Sequence, residues 1–71
     1  MTNTENDVKY PNIQVQLTGL DGNAFMLIGT VRRALVRQGV PADEVSAFVA
    51  EATAGDYDNV IQTCMRWVVV S

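Results

Sequence analysis

The chain has 71 residues, enough for one small domain and too few for two. Hydrophobic residues make up 48% and charged residues 18%, which fits a globule with a core and excludes a disordered acidic tail. Five basic against eight acidic residues leave a net charge of −3, with no histidine and one cysteine. An intrachain disulfide is therefore impossible, and a zinc or catalytic-thiol site has too few partners.

No apolar run approaches the ~18 residues of a membrane span. The opening Met-Thr-Asn-Thr-Glu-Asn-Asp has neither the basic start nor the apolar stretch of a signal peptide. The expected setting is cytoplasmic, with no membrane partner. A domain this short buries only about 60% of its unfolded surface, so marginal stability is expected unless it self-associates.

Residues 1–7 are polar, carry Glu5 and Asp7, and show no periodicity, so residues 1–8 read as a flexible N-terminal arm. Residues 9–71 read as a single α/β domain. From Ile13 the pattern alternates strictly, with Ile13, Val15 and Leu17 set against Gln14, Gln16 and Thr18. Period two after Pro11 predicts a strand with one wet and one buried face. The run Gly19-Leu20-Asp21-Gly22-Asn23 breaks it; Asp-Gly is also a hairpin signal, but the segment beyond it reads as a helix.

A helix over residues 24–38 gathers Ala24, Leu27, Ile28, Val31, Ala34 and Leu35 on one face. Asp21 or Asn23 suits its N-cap, Gly39 its left-handed C-terminus, and Pro41 forbids continuation. Gly29 in its interior points either to close packing or to a tolerated flaw. A second helix runs over about 41–53, with Asp43 and Glu44 at the positive end of its dipole and Val45, Phe48, Val49 and Ala52 as its stripe. Gly55 ends it. Asp56 then caps a third helix through about Trp67, with Tyr57, Val60, Ile61 and Cys64 on one face. The β-branched Val68-Val69-Val70 is too short to stand alone and is expected to pair with the first strand. The predicted fold is α+β in the order β-α-α-α-β, three helices on one face of a two-stranded sheet. Leu17, Ile28, Leu35, Phe48, Ile61 and Trp67 are its expected core.

Charge is unevenly spread. Residues 1–23 carry −2, the first helix +3 from Arg32, Arg33 and Arg37, and residues 41–71 carry −4. Helical geometry puts Arg33 and Arg37 opposite the core stripe. Arg32 falls on a flank with Phe25, Gly29 and Val36. Phe25 and Val36 are expected to pack under the second or third helix; the sharper alternative is a partner or dimer surface rimmed by arginine.

Site chemistry is sparse. Asp21-Gly22-Asn23 and Asp56-Tyr57-Asp58-Asn59 lack the EF-hand frame and read as caps. The arginine helix followed by Gly-Val-Pro and another helix invites a helix-turn-helix reading. Three arginines are meagre for phosphate binding, however, and the following helix is acidic. Ser46 and Ser71 have no base, and Cys64 lies on an apolar face. No Gly-rich phosphate loop is present. No catalytic residue, metal ligand or cofactor is expected.

The stretches Val15-Gln16-Leu17, Asp21-Gly22-Asn23-Ala24-Phe25, Gly29 with Val31-Arg32-Arg33-Ala34-Leu35, Gly55-Asp56-Tyr57-Asp58 and Met65-Arg66-Trp67-Val68 resemble a group of short bacterial and phage proteins of unknown function. The resemblance spans about Lys9 to Val70 and implies a small stand-alone protein, with no activity or ligand attached. Those proteins often have histidine where this chain has Asn59, so a function resting on that imidazole does not carry over.

The functional expectation is a non-enzymatic protein-binding module, an accessory factor of a phage or mobile element engaging a host protein. Its candidate surface is Phe25, Gly29, Arg32, Arg33, Val36 and Arg37. The alternative is a nucleic-acid-binding regulator using the same arginines. A homodimer is also expected, through a sheet edge or the Phe25–Arg32–Val36 flank, with the arginines meeting Asp43, Glu44 or Glu51 of a second copy.

Overall fold

The computed structural model describes residues 8–19 and 22–71. Strand β1 (Tyr10–Val15) is followed by helices α1 (Ala24–Arg37), α2 (Ala42–Ala52) and α3 (Tyr57–Trp67), and strand β2 (Val68–Val70) closes the chain. The order is the predicted one, and the three helices pack on a two-stranded sheet. Residues 1–7 of the expected flexible arm, and Asp21 as a cap, lie outside the described residues.

The strands are parallel, which pairing of the first and last segments across three helices permits. Strand β1 begins three residues before the alternating stretch at Ile13, so Pro11 lies inside it and not ahead of it. Proline cannot donate to a ladder, and the register shifts between Tyr10, opposite Val68, and Gln14, opposite Val69. The pairing continues past the strands: Ser71 N–H donates to the Val15 carbonyl at 3.0 Å, and Leu17 N–H donates to the Ser71 carbonyl at 2.8 Å.

Local chemistry explains the helix ends. The Asn23 side chain accepts from Phe25 N–H at 2.8 Å and that of Asp56 from Asn59 N–H at 3.0 Å, so both caps satisfy otherwise orphaned amides. Gly39 has φ +84°, a conformation with little cost only for glycine. The Asn59 side-chain amide donates to the carbonyls of Glu51 at 2.8 Å and Ala52 at 3.3 Å. One residue thus joins the start of α3 to the end of α2. At Gly29, an added Cβ would meet only the Arg33 guanidinium at 3.8 Å. No element packs closely there, and the glycine is a tolerated flaw.

The core is one cluster, fed by Ile13 and Val15 of β1, Leu27, Ile28, Val31 and Leu35 of α1, Val45, Phe48 and Ala52 of α2, Val60, Cys64 and Trp67 of α3, and Val68 of β2. Four of the six expected core residues are buried; Leu17 and Ile61 are only half-buried. Leu17 lies past the end of β1, where the alternation continues but the strand does not. Ile61 sits one position off the α3 stripe of Val60, Cys64 and Trp67. Tyr57, expected on the same face, is about half exposed at the first turn of that helix.

Candidate functional site

Helix α1 presents Phe25, Gly29, Arg32 and Val36 at spacings of four, three and four, one continuous stripe along its flank. The expectation that Phe25 and Val36 pack under a neighbouring helix is wrong. Phe25 is 84% exposed and Val36 55% exposed, and Met26 of the adjoining row is also exposed. The reason is angular. Leu27, Ile28, Val31 and Leu35 already fill the contact between α1 and the body, and the stripe lies about 100° away from them. Phe25, Met26 and Val36 thus leave three large apolar side chains exposed on one helix, and it is their grouping, not a single exposed ring, that marks a candidate contact surface.

The stripe borders a groove. Arg32 and Val36 of α1, Val40 of the connecting turn, and Ala42, Val45, Ser46, Val49 and Ala50 of α2 line a depression of about 510 Å³. The walls are predominantly apolar, with Arg32 the one charged side chain among them. At the far end of the stripe, Phe25 borders a second hollow with Thr53, Gly55, Asp56 and Tyr57.

The three arginines separate. Arg33 and Arg37 border a smaller groove of about 260 Å³ against β1, shared with Gln14, Gln16 and Thr30, and Arg33 also lines a hollow with Phe25, Met26 and Gly29. Of the six candidate residues, Arg32 and Val36 face α2, Arg37 faces β1, and Arg33 lies between the two, beside Phe25 and Gly29. Among the described residues, none of the three arginines is in an ion pair; the pairs present are Lys9–Glu44 at 2.7 Å and Arg66–Glu51 at 3.2 Å.

Those pairs belong to a cluster that hydrophobic periodicity gives no sign of. Tyr10 stacks on Trp67 at 5.9 Å between centroids, and Phe48 meets the same indole edge-on at 5.5 Å. Lys9 Nζ lies 4.3 Å from the indole centroid and also pairs with Glu44. Glu44 accepts from Tyr10 Oη at 2.9 Å, and Glu51 accepts from Trp67 Nε1 and Arg66 Nη2. Hydrogen bonds from Lys9 and then Tyr10 hold the Glu44 carboxyl below its ordinary value, and the bond to Glu44 raises Lys9. Burial, then the bond to Glu44, raises Tyr10. The cluster clasps the start of β1 to α2 and α3. Both of its carboxylates, Glu44 and Glu51, are engaged within it.

Cys64 is buried, and burial pushes its thiol up to about 11. A thiol raised in this way is mostly protonated near neutral pH, and its burial limits access to it. Among the described residues no group of three or more Cys, Asp or Glu is placed to hold a metal ion. Asp56, weighed as part of a calcium loop, spends its carboxylate on the α3 cap. No helix among the described residues is long and apolar enough to cross a membrane. Comparison with protein-family models, with curated proteins and with solved structures gave no match.

Proposed function

We propose that this chain is a small non-enzymatic protein-binding module that docks its partner through the outer flank of α1. The observation that carries the reading is Phe25, almost wholly exposed on a regular helix and in line with Val36 and an unpaired Arg32. Aromatic and arginine side chains are the usual anchors of protein interfaces, an aromatic giving large area with few rotors to immobilise. The buried, protonated thiol and the engagement of Glu44 and Glu51 in ion pairs support a role without chemistry. We read the chain as an accessory factor that engages a host protein in the cytoplasm; the resemblance to short bacterial and phage proteins supports only a small stand-alone protein. The same flank also admits a second copy of the chain.

Affinity capture from the native host tests the reading. The intact chain should enrich a protein that a Phe25→Ser, Val36→Asp double variant loses and a Gln62→Glu control keeps, Gln62 being exposed on α3. Equal recovery by the double variant would move the contact elsewhere.

The β1-side groove favours a second reading, nucleic-acid binding, because Arg33 and Arg37 lie side by side there with Gln14, Gln16 and Thr30. Two arginines neutralise few phosphates, and the net charge of −3 opposes approach. Duplex binding at physiological salt should therefore be no tighter than about 10⁻⁴ M. Micromolar binding lost in an Arg33→Glu, Arg37→Glu variant would promote this reading over the first.

A further inference from the structure

We propose that the partner seated on the α1–α2 face is a second copy of this chain, related by a two-fold axis that pairs Arg32 of each copy with Asp43 of the other. This rests on the protein-binding reading above and specifies the partner.

The face is self-complementary in charge. Arg32 stands on the α1 wall of the groove. Asp43 does not line the groove itself, but on α2 it falls in one row with Ser46 and Ala50, at i, i+3 and i+7, and so stands at the outer edge of the wall those two residues form. Both residues are exposed, and neither takes part in an ion pair among the described residues. The other α2 acids are engaged, Glu44 by Lys9 and Glu51 by Arg66. Of the three acids that could meet α1 of a second copy, Asp43 is the one without such a partner. A two-fold axis presents the same patch twice, so a patch with a cation on one side of the groove and an anion beside the other, neither paired among the described residues, satisfies itself in both halves of the contact. A foreign partner would have to supply both charges independently.

Shape and size agree. Ala42, Ser46 and Ala50 are small residues in one row, which lets a facing helix come close, while Val36 supplies apolar contact on the other wall. A stable interface takes about 800 Å² from each partner, roughly one-sixth of the 4686 Å² surface of this chain. One broad face of a body measuring 31 × 26 × 23 Å offers that area. The polar rows outside it, Arg33 and Arg37 on one side and Glu44 and Glu51 on the other, then form a hydrated rim.

Sedimentation equilibrium over a dilution series tests the pairing on the intact chain. The unaltered protein should show twice the 7.8 kDa chain mass at high micromolar concentration. Arg32→Asp alone and Asp43→Arg alone should each weaken association on the order of a hundredfold, because both symmetry-related pairs become repulsive. An equimolar mixture of the two variants should dimerise again, since every pair in the mixed dimer is then attractive. Recovery in the mixture also shows that both variants are folded. A single monomeric species for the unaltered protein overturns this inference, yet leaves capture of a host protein through Phe25 and Val36 standing. A dimer indifferent to both substitutions, or a mixture that stays monomeric, overturns it by placing the contact on another surface.

Discussion

Replacing Phe48 with alanine should bring this domain to the edge of unfolding. Phe48 is fully buried at the centre of α2 and meets Trp67 edge-on at 5.5 Å. Removing about 150 Å² of buried apolar surface at about 25 cal/mol per Å² costs roughly 4 kcal/mol, and the aromatic pair adds about 1 kcal/mol. That agrees with the ~3–5 kcal/mol seen for buried aromatic truncations that leave a cavity. A chain of 71 residues, at about 0.05–0.15 kcal/mol per residue, has roughly 4–10 kcal/mol in total. The substitution therefore consumes half or more of the stability. Thermal and urea melts followed by far-ultraviolet circular dichroism measure it, with the fluorescence of Trp67, the sole tryptophan, as a second probe. The expected fall in Tm exceeds about 12 °C. A cooperative melt within about 4 °C of the unaltered protein would refute the packing argument.

Cys64 should react with a thiol reagent roughly a hundredfold more slowly in the native protein than in denaturant, as a thiol raised from 9.0 to about 11 implies; equal rates would show that α3 does not bury it. Asn59→Ala should cost about 1 kcal/mol, because it removes the amide bonds to the carbonyls of Glu51 and Ala52 but keeps the backbone bond to Asp56; a neutral result in urea melts would dismiss this link between α2 and α3. The Lys9–Glu44–Tyr10 contacts make stability depend on pH at both ends. The folded Glu44 value is lowered, so its contribution is present above the ordinary carboxylate range and lost as pH falls through the folded value. The folded Lys9 value is raised, so its contribution is complete below the ordinary value of 10.5 and lost as pH rises beyond the folded one. The stability gap between the unaltered protein and Glu44→Gln should thus be widest near neutral pH and close towards acid; a gap constant down to about pH 3 would contradict this.

The element order, the Asp56 cap and most of the core are legible in the sequence because each rests on local chemistry, while the α1 cap is narrowed to Asp21 or Asn23. Asn23 and Asp56 stand directly before apolar periodic runs, Gly39 just after one, and the stripes of α1, α2 and α3 repeat at helical spacing. The strand is legible in type but not in extent. Period two cannot show where pairing stops, so the alternation runs on to Leu17 although the strand ends at Val15, and it gives no sign of Tyr10 to Asn12. Sheet direction is not legible either, since three valines pair equally well both ways. The flank of α1 shows the limit most clearly. An apolar residue off the main stripe reads as packed or as exposed according to where the next helix lies, and only tertiary placement leaves Phe25 in water. The Lys9–Tyr10–Glu44–Trp67 clasp joins residues more than thirty positions apart, for which a single sequence carries no periodic signal.

The outer flank of α1 is the surface we propose for contact with protein. A photo-crosslinking amino acid in place of Phe25, in the intact chain expressed in its host, tests it most directly, with the same probe in place of the exposed Gln62 of α3 as control. Illumination should give a discrete adduct from position 25, to a host protein or to a second copy, and none from position 62. Equal yields from the two positions, or no adduct from position 25, would contradict the account.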